Sequence, residues 1–158
     1  MKAGDELGPT RWVEVDQERV DRFAEATEDS QWIHTNRERA AAGPFGTTIA
    51  HGFLTLSLLP ALWFEAARND SHPLTINYGV DRVRFPAPVP VGSRVRASFR
   101  VEEVTVVAGG EQARITASVE REGHEKPVCV AELVFRFLDG AGEPLARGAR
   151  NGRGERNR

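Results

Sequence analysis

The chain has 158 residues, 40% of them hydrophobic and 28% charged, with a formal charge of −2. That length holds one domain with a substantial core and is too short for two ordinary ones, and the charge argues against an electrostatic nucleic-acid binder. A single cysteine excludes a disulfide framework and a thiolate metal site.

The opening residues, Met1-Lys2-Ala3-Gly4-Asp5-Glu6, lack the apolar run of a signal peptide, and no stretch reaches the length of a membrane span. The expectation is a cytoplasmic protein with no membrane partner. Residues 11–15 alternate polar and apolar, which suits a short strand. Asp16 follows as a natural N-cap, and Val20, Phe23, Ala24 and Thr27 mark one face of an amphipathic helix. That helix delivers Glu28 and Asp29 at its C-terminal end, where the negative end of the dipole disfavours a carboxylate's charge. Residues 37–42 read as a short surface turn of helix. From Thr48 onward Ile49, Phe53, Leu54, Leu56, Leu58, Leu59, Leu62, Trp63 and Phe64 are apolar on nearly every side, which predicts a buried helix, bent or broken at Pro60. Arg68, Asn69 and Asp70 mark its return to water.

After Pro73 the period becomes two. Strands are expected over residues 74–85, 93–107, 112–122 and 128–138, with Val95, Ala97, Phe99 and Val101 on a dry face and Arg94, Arg96, Ser98 and Arg100 on a wet one. Long antiparallel strands after one buried helix imply an α+β layer with the sheet wrapped around that helix. Residues 139–158 carry five arginines against three acids, so this Gly/Arg-rich tail stands at +2 and the body at −4. The tail reads as disordered, with 1–138 as the domain.

Chemistry concentrates between Thr27 and Ser57. Asp29 and His34 flank Trp32 and Ile33 in a segment too short to be a helix of its own, so both can converge from a loop. Gly43-Pro44-Phe45-Gly46 is turn chemistry, and the chain then enters its apolar helix between Thr48 and Gly52. Backbone N–H groups free at a helix start suit an anion, or a carbonyl oxygen becoming one.

These residues resemble a known family. The acid, four intervening residues and a histidine, then Ala50-His51-Gly52 at the helix entry, resemble the motif of MaoC-like, (R)-specific enoyl-CoA hydratases, which have the hot-dog fold. The nodulation-protein-N-like branch is similar through residues 31–34, 40–53, 76–79 and 83–93. The resemblance implies reversible hydration of a trans-2-enoyl-CoA, or of an acyl-carrier thioester, to the (R)-3-hydroxyacyl form, with no cofactor and no metal. It implies Asp29 as principal base, His34 as the group that positions water and returns the α-proton, and Gly52 N–H as oxyanion donor. It also implies Ser57 as a hydrogen-bond partner of the acid, Asn77 and Tyr78 along the acyl tunnel, Arg82 and Arg84 at CoA phosphates or a partner subunit, and a homodimer with joined sheets. Two departures stand out. Gln31 and Trp32 replace the wider family's Asn and Pro, and Glu28 replaces a Gly; if that position needs φ > 0, Glu28 strains it and its charge bears on the pH at which Asp29 works.

Blander readings stay open for each group. Asp29 can cap a helix or join a surface ion pair, and His34 can be a satisfied structural histidine. His51 is either a second catalytic imidazole or, as favoured, a structural group bonded to backbone; Ser57 can bond a carbonyl one turn back. Asp29, His34 and His51 are conceivable as a three-ligand metal set. The same fold can also serve a thioesterase or a non-catalytic acyl-thioester-binding protein. Cys129 reads as packing.

Overall fold

The computed structural model describes residues 1–67 and 73–140. The expectations on Arg68, Asn69, Asp70 and the tail from 141 onward lie outside the described residues. In chain order the elements are β1 (Glu6–Leu7), β2 (Val13–Val15), α1 (Gln17–Thr27), α2 (Trp32–Thr35), α3 (Arg37–Ala41), α4 (Gly52–Ser57), α5 (Leu59–Ala67), β3 (Leu74–Arg84), β4 (Ser93–Val107), β5 (Gly110–Arg121) and β6 (Cys129–Leu138).

The alternation in the second half builds one antiparallel sheet of order β1-β4-β5-β6-β3, with β2 also paired to β4. Val95, Ala97, Phe99 and Val101 are buried on its inner face, as the period of two requires. Small and large side chains face each other across that surface: Phe99 pairs with Ala117 and Phe135 with Ala113. The room so made is filled by Trp63 of α5, whose ring stands edge-on to Phe99 at 5.3 Å and to Phe135 at 5.8 Å. Leu54, Leu59 and Leu62 complete the contact between helix and sheet. On the outer face, cross-strand pairs Arg96–Glu120, Arg94–Glu122, Arg114–Glu103 and Arg82–Glu132 compensate one another's charge. Gly8, between β1 and β2, has φ 99°, and a Cβ there would meet Ala97 O at 2.8 Å, so only glycine lets the chain cross β4 this closely.

The central helix starts at Gly52, the far end of the expected entry, because the backbone of residues 48–50 is spent on pairing: Ala50 N donates to Val89 O (2.8 Å), Val91 N to Thr48 O (2.9 Å) and Ile49 N to Ile33 O (3.0 Å). It differs from expectation in not being buried all round, since Phe53 is 68% exposed and Phe64 46%. The apolar stripe is wider than the core it covers. The break expected from Pro60 is present: α4 ends at Ser57, Leu58 caps it, and Pro60 lies in the first turn of α5, where its missing N–H costs least.

Candidate active site

Asp16 caps α1 by accepting from Arg19 N at 2.8 Å, and Gln17, Val20 and Ala24 form its buried face. The helix ends at Glu28 with φ 61° and ψ 13°, the left-handed conformation that the missing glycine would have supplied. Asp29 follows at once, its carboxylate 55% exposed.

The segment after it is helical, contrary to the expected loop. Trp32–Thr35 makes one turn, closed by His34 N to Gln31 O (3.0 Å) and Asn36 N to Trp32 O (3.0 Å). That turn carries His34 inward, to 6% exposure. Its Nδ1 lies 2.7 Å from Ile49 O. A carbonyl oxygen only accepts, so Nδ1 holds the proton and the neutral ring presents its lone pair at Nε2. Burial lowers the His34 pKa from its ordinary value; the Ile49 carbonyl opposes this, His51 adds to it, and Asp29 opposes it.

His51 stacks on His34, centroids 3.7 Å apart and planes 26° from parallel. Its Nε2 donates to the backbone oxygen of Asp29 at 2.9 Å and stands 4.0 Å from Asp29 Oδ2. Its Nδ1 is buried without a hydrogen-bond partner among the described residues. His51 thus ties the backbone of Asp29 to the start of α4. Nitrogen and carboxylate oxygen atoms of Asp29, His34 and His51 all lie within 4.8 Å of one another. As a metal set this trio is poorly built. Each imidazole spends one nitrogen on a carbonyl, and in-plane lone pairs of two stacked rings do not converge on one ion.

Gln17 supports the site from beneath, a role that escaped the sequence reading. Its buried amide donates to His34 O (2.8 Å) and Asp21 Oδ1 (2.7 Å) and accepts from the Thr48 hydroxyl. The signal was present: positions 17, 20 and 24 share a helical face, so a polar residue at 17 had to point inward.

His34 opens on a cavity of about 300 Å³ whose walls include Phe45, Ile49, Phe85 and Val128, together with Gly52 and Thr55 of α4. Gly52, the expected oxyanion donor, heads α4 with its N–H unclaimed by the helix. A Cβ on it would meet the Phe85 ring at 2.7 Å, so the glycine also admits that wall. Other expected residues lie elsewhere. Ser57 gives its hydroxyl to Phe53 O at 2.7 Å, one turn back, rather than to Asp29. Asn77 and Tyr78 sit exposed on edge strand β3, at a register shift, outside this cavity; the Arg136 guanidinium lies 3.5 Å from the Tyr78 ring centroid. Arg82 pairs with Glu132 and Arg84 bonds its neighbour's carbonyl, both exposed. Cys129 is fully buried, which pushes its thiol up to about 11, and it acts as packing.

The family described as "MaoC like domain" matches residues 1–123. Among characterised relatives, 3-hydroxyacyl-thioester dehydratase Z of Mycobacterium tuberculosis is 54% identical over 137 residues, covering 86% of this chain and 91% of that protein. Nodulation protein N of Rhizobium leguminosarum bv. viciae is 45% identical over 138 residues, covering 84% of each. Among solved structures, the (R)-hydratase from A. caviae involved in PHA biosynthesis superposes with a TM-score of 0.71 at 23% identity, over 87% of this chain and 97% of that one, a likeness of fold. The antiparallel sheet around α4 and α5 is thus the hot-dog fold, and the chain belongs to the MaoC-like dehydratase family.

Proposed function

We propose that this MaoC-like hydro-lyase interconverts trans-2-enoyl and (R)-3-hydroxyacyl thioesters, carried on CoA or an acyl carrier, by acid–base chemistry of Asp29 and His34 without a metal or redox cofactor. The observation that carries the reading is the tautomer of His34. With Nδ1–H held by Ile49 O, a neutral ring offers a lone pair at Nε2 to the cavity, and burial keeps it neutral at ordinary pH. Water adds its oxygen to C3 while His34 Nε2 takes one of its protons. The imidazolium then passes that proton to C2, where the enolate electron pair forms a new C2–H bond, leaving His34 as it began. Asp29 accepts the water's other proton in a hydrogen bond and faces the imidazolium at its moment of charge. The tautomer therefore favours His34, rather than Asp29, as the group that takes the proton. Gly52 N–H faces the thioester oxygen as it becomes an enolate.

The (R) configuration is what the likeness to (R)-hydratases supports, and the dehydratase named among the relatives supports a thioester substrate. A homodimer is part of the same reading. Edge strand β3 and the exposed Phe53, Phe64, Tyr78 and Val80 supply an unpaired sheet edge and apolar surface for a second copy. A cytoplasmic location fits too; among the described residues no helix is long and apolar enough to cross a membrane.

The test is loss of enoyl-thioester absorbance with crotonyl-CoA and a longer trans-2-enoyl-CoA, beside Asp29→Asn and His34→Ala. Hydration by the native chain, lost in both folded variants and giving the (R) product, is the expected result. No consumption of either substrate overturns it, and release of free CoA would make the chain a thioesterase.

A further inference from the structure

Hydroxyl groups in helices usually spend their proton on the carbonyl four residues back. Thr27 does so with Phe23 O and Ser57 with Phe53 O, each at 2.7 Å. Thr55 does not. It lies two residues before Ser57 in α4, is 1% exposed, and its hydroxyl has no partner among the described residues. The carbonyl four back is that of His51, which among the described residues accepts the Thr55 N–H, at 3.3 Å. Unlike His51 Nδ1 and Trp63 Nε1, which are enclosed without a partner among the described residues, this hydroxyl keeps an open direction for a ligand.

That direction is the cavity. Of the described side chains that line it, His34 and Thr55 are the only polar ones; the others are aromatic, aliphatic or proline. Thr55 follows Gly52 by three residues, so both occupy one face of α4. Side chains on a helix lean toward its N-terminus, which carries the Thr55 hydroxyl over the turn that begins with the Gly52 N–H. Gly52 and Thr55 thus share one wall of the cavity that His34 also lines. On the reading of the reaction given above, the substrate atom that gains negative charge and needs donors is the thioester oxygen.

We propose that the Thr55 hydroxyl donates to the thioester carbonyl oxygen of the substrate, as a second donor beside Gly52 N–H, and bonds it more strongly as it becomes the enolate. Thr55 is then a catalytic residue of the site. Its hydroxyl, without a protein partner among the described residues, gains one in the substrate complex.

The experiment compares Thr55→Val, which keeps the shape and removes the hydroxyl, with Thr55→Ser, which keeps the hydroxyl. Three readings are taken: turnover of crotonyl-CoA, affinity for butyryl-CoA, and melting temperature. Butyryl-CoA has the thioester oxygen but neither double bond nor 3-hydroxyl, so its binding reports the carbonyl contact whether or not the chain hydrates anything. In Thr55→Val, kcat/KM falls about 100-fold and the Kd of butyryl-CoA rises about fivefold. The melting temperature stays close to native, because the shape is kept and the hydroxyl removed has no protein partner among the described residues. Thr55→Ser recovers activity to within about threefold. Thr55→Val with native kcat/KM and native butyryl-CoA affinity overturns the assignment, and so does a lower melting temperature that serine does not rescue. A loss confined to 3-hydroxyacyl substrates, with butyryl-CoA bound as before, would move the hydroxyl's partner to the 3-oxygen and overturn it as well. A native chain that binds butyryl-CoA through Thr55 yet consumes no enoyl-CoA would defeat the hydration reading and leave this contact standing.

Discussion

Glu28→Gly should make the protein more stable. Glu28 caps α1 at φ 61° and ψ 13°, where a side chain's Cβ crowds the following carbonyl oxygen. That crowding costs about 1–2 kcal/mol for a residue other than glycine. Glycine returns part of this gain, because its unfolded chain has more freedom to lose, worth about 0.5–1 kcal/mol. The Glu28 side chain is exposed and has no hydrogen-bond partner among the described residues, so its removal forfeits little else. The balance is a gain of about 0.5–1 kcal/mol, or roughly 1–4 °C in melting temperature for a domain of this size. Calorimetric melting of Glu28→Gly, Glu28→Asn and Glu28→Ala reads it directly, with glycine highest, asparagine intermediate and alanine near the native chain. Because the native backbone already holds this conformation, hydratase activity should stay within about twofold. A glycine variant that melts below the native chain would refute the reasoning, since it would mean that Glu28 contributes a stabilising interaction larger than its backbone strain.

Acidification should act on stability and turnover together through His34. Its pKa is lowered in the folded state from the ordinary 6.5, so below that value the unfolded chain binds the extra proton first; stability is complete above about 6.5 and falls as pH drops toward the lowered value. Melting temperatures and crotonyl-CoA turnover measured from pH 5 to 8 should both decline on the acid side, and His34→Gln should flatten the stability part; a melting curve as steep in that variant would place the titration elsewhere. Gln17→Leu strands the His34 carbonyl and the Thr48 hydroxyl, which should cost about 2–4 kcal/mol in urea denaturation. It should also lower kcat more than it raises KM, because His34 is mispositioned while the cavity wall remains; native kcat in a folded Gln17→Leu would remove it from the site.

How far the sequence reached depended on which physical rule governed each element. The period of two in residues 93–101 is imposed by one buried face, so it was readable; the same holds for the apolar face of α1 and for the interruption at Pro60. Trp32–Thr35 is a single turn, too short to show any period, and only its hydrogen bonds to Gln31 and the support of Gln17 beneath His34 reveal it as helix. The helix start was legible only as a range, Thr48 to Gly52, because Ile49 and Ala50 are apolar and periodic, while the partner that holds them extended lies some forty residues away at Val89–Val91. Apolarity at Phe53 and Phe64 marked a surface to be covered but not by what. In the site, a motif singled out Asp29, His34 and Gly52 as candidates, whereas the directions of Ser57 and Thr55 depend on rotamers two residues apart on one helix, which no spacing encodes. Asn77 and Tyr78 were displaced from the cavity by the strand order, which puts β3 at the sheet's edge.

The Gln17 amide has a bearing on how the protein comes to work at all. Two of the groups it binds lie 17 and 31 positions along the chain, and its own place is set by the packing of α1. None of these segments can hold the histidine alone. Local order in any one of these segments therefore gives His34 no support, which comes only when the loops between them have closed. The candidate site is in this sense a reporter of tertiary closure, lost when any of these segments opens.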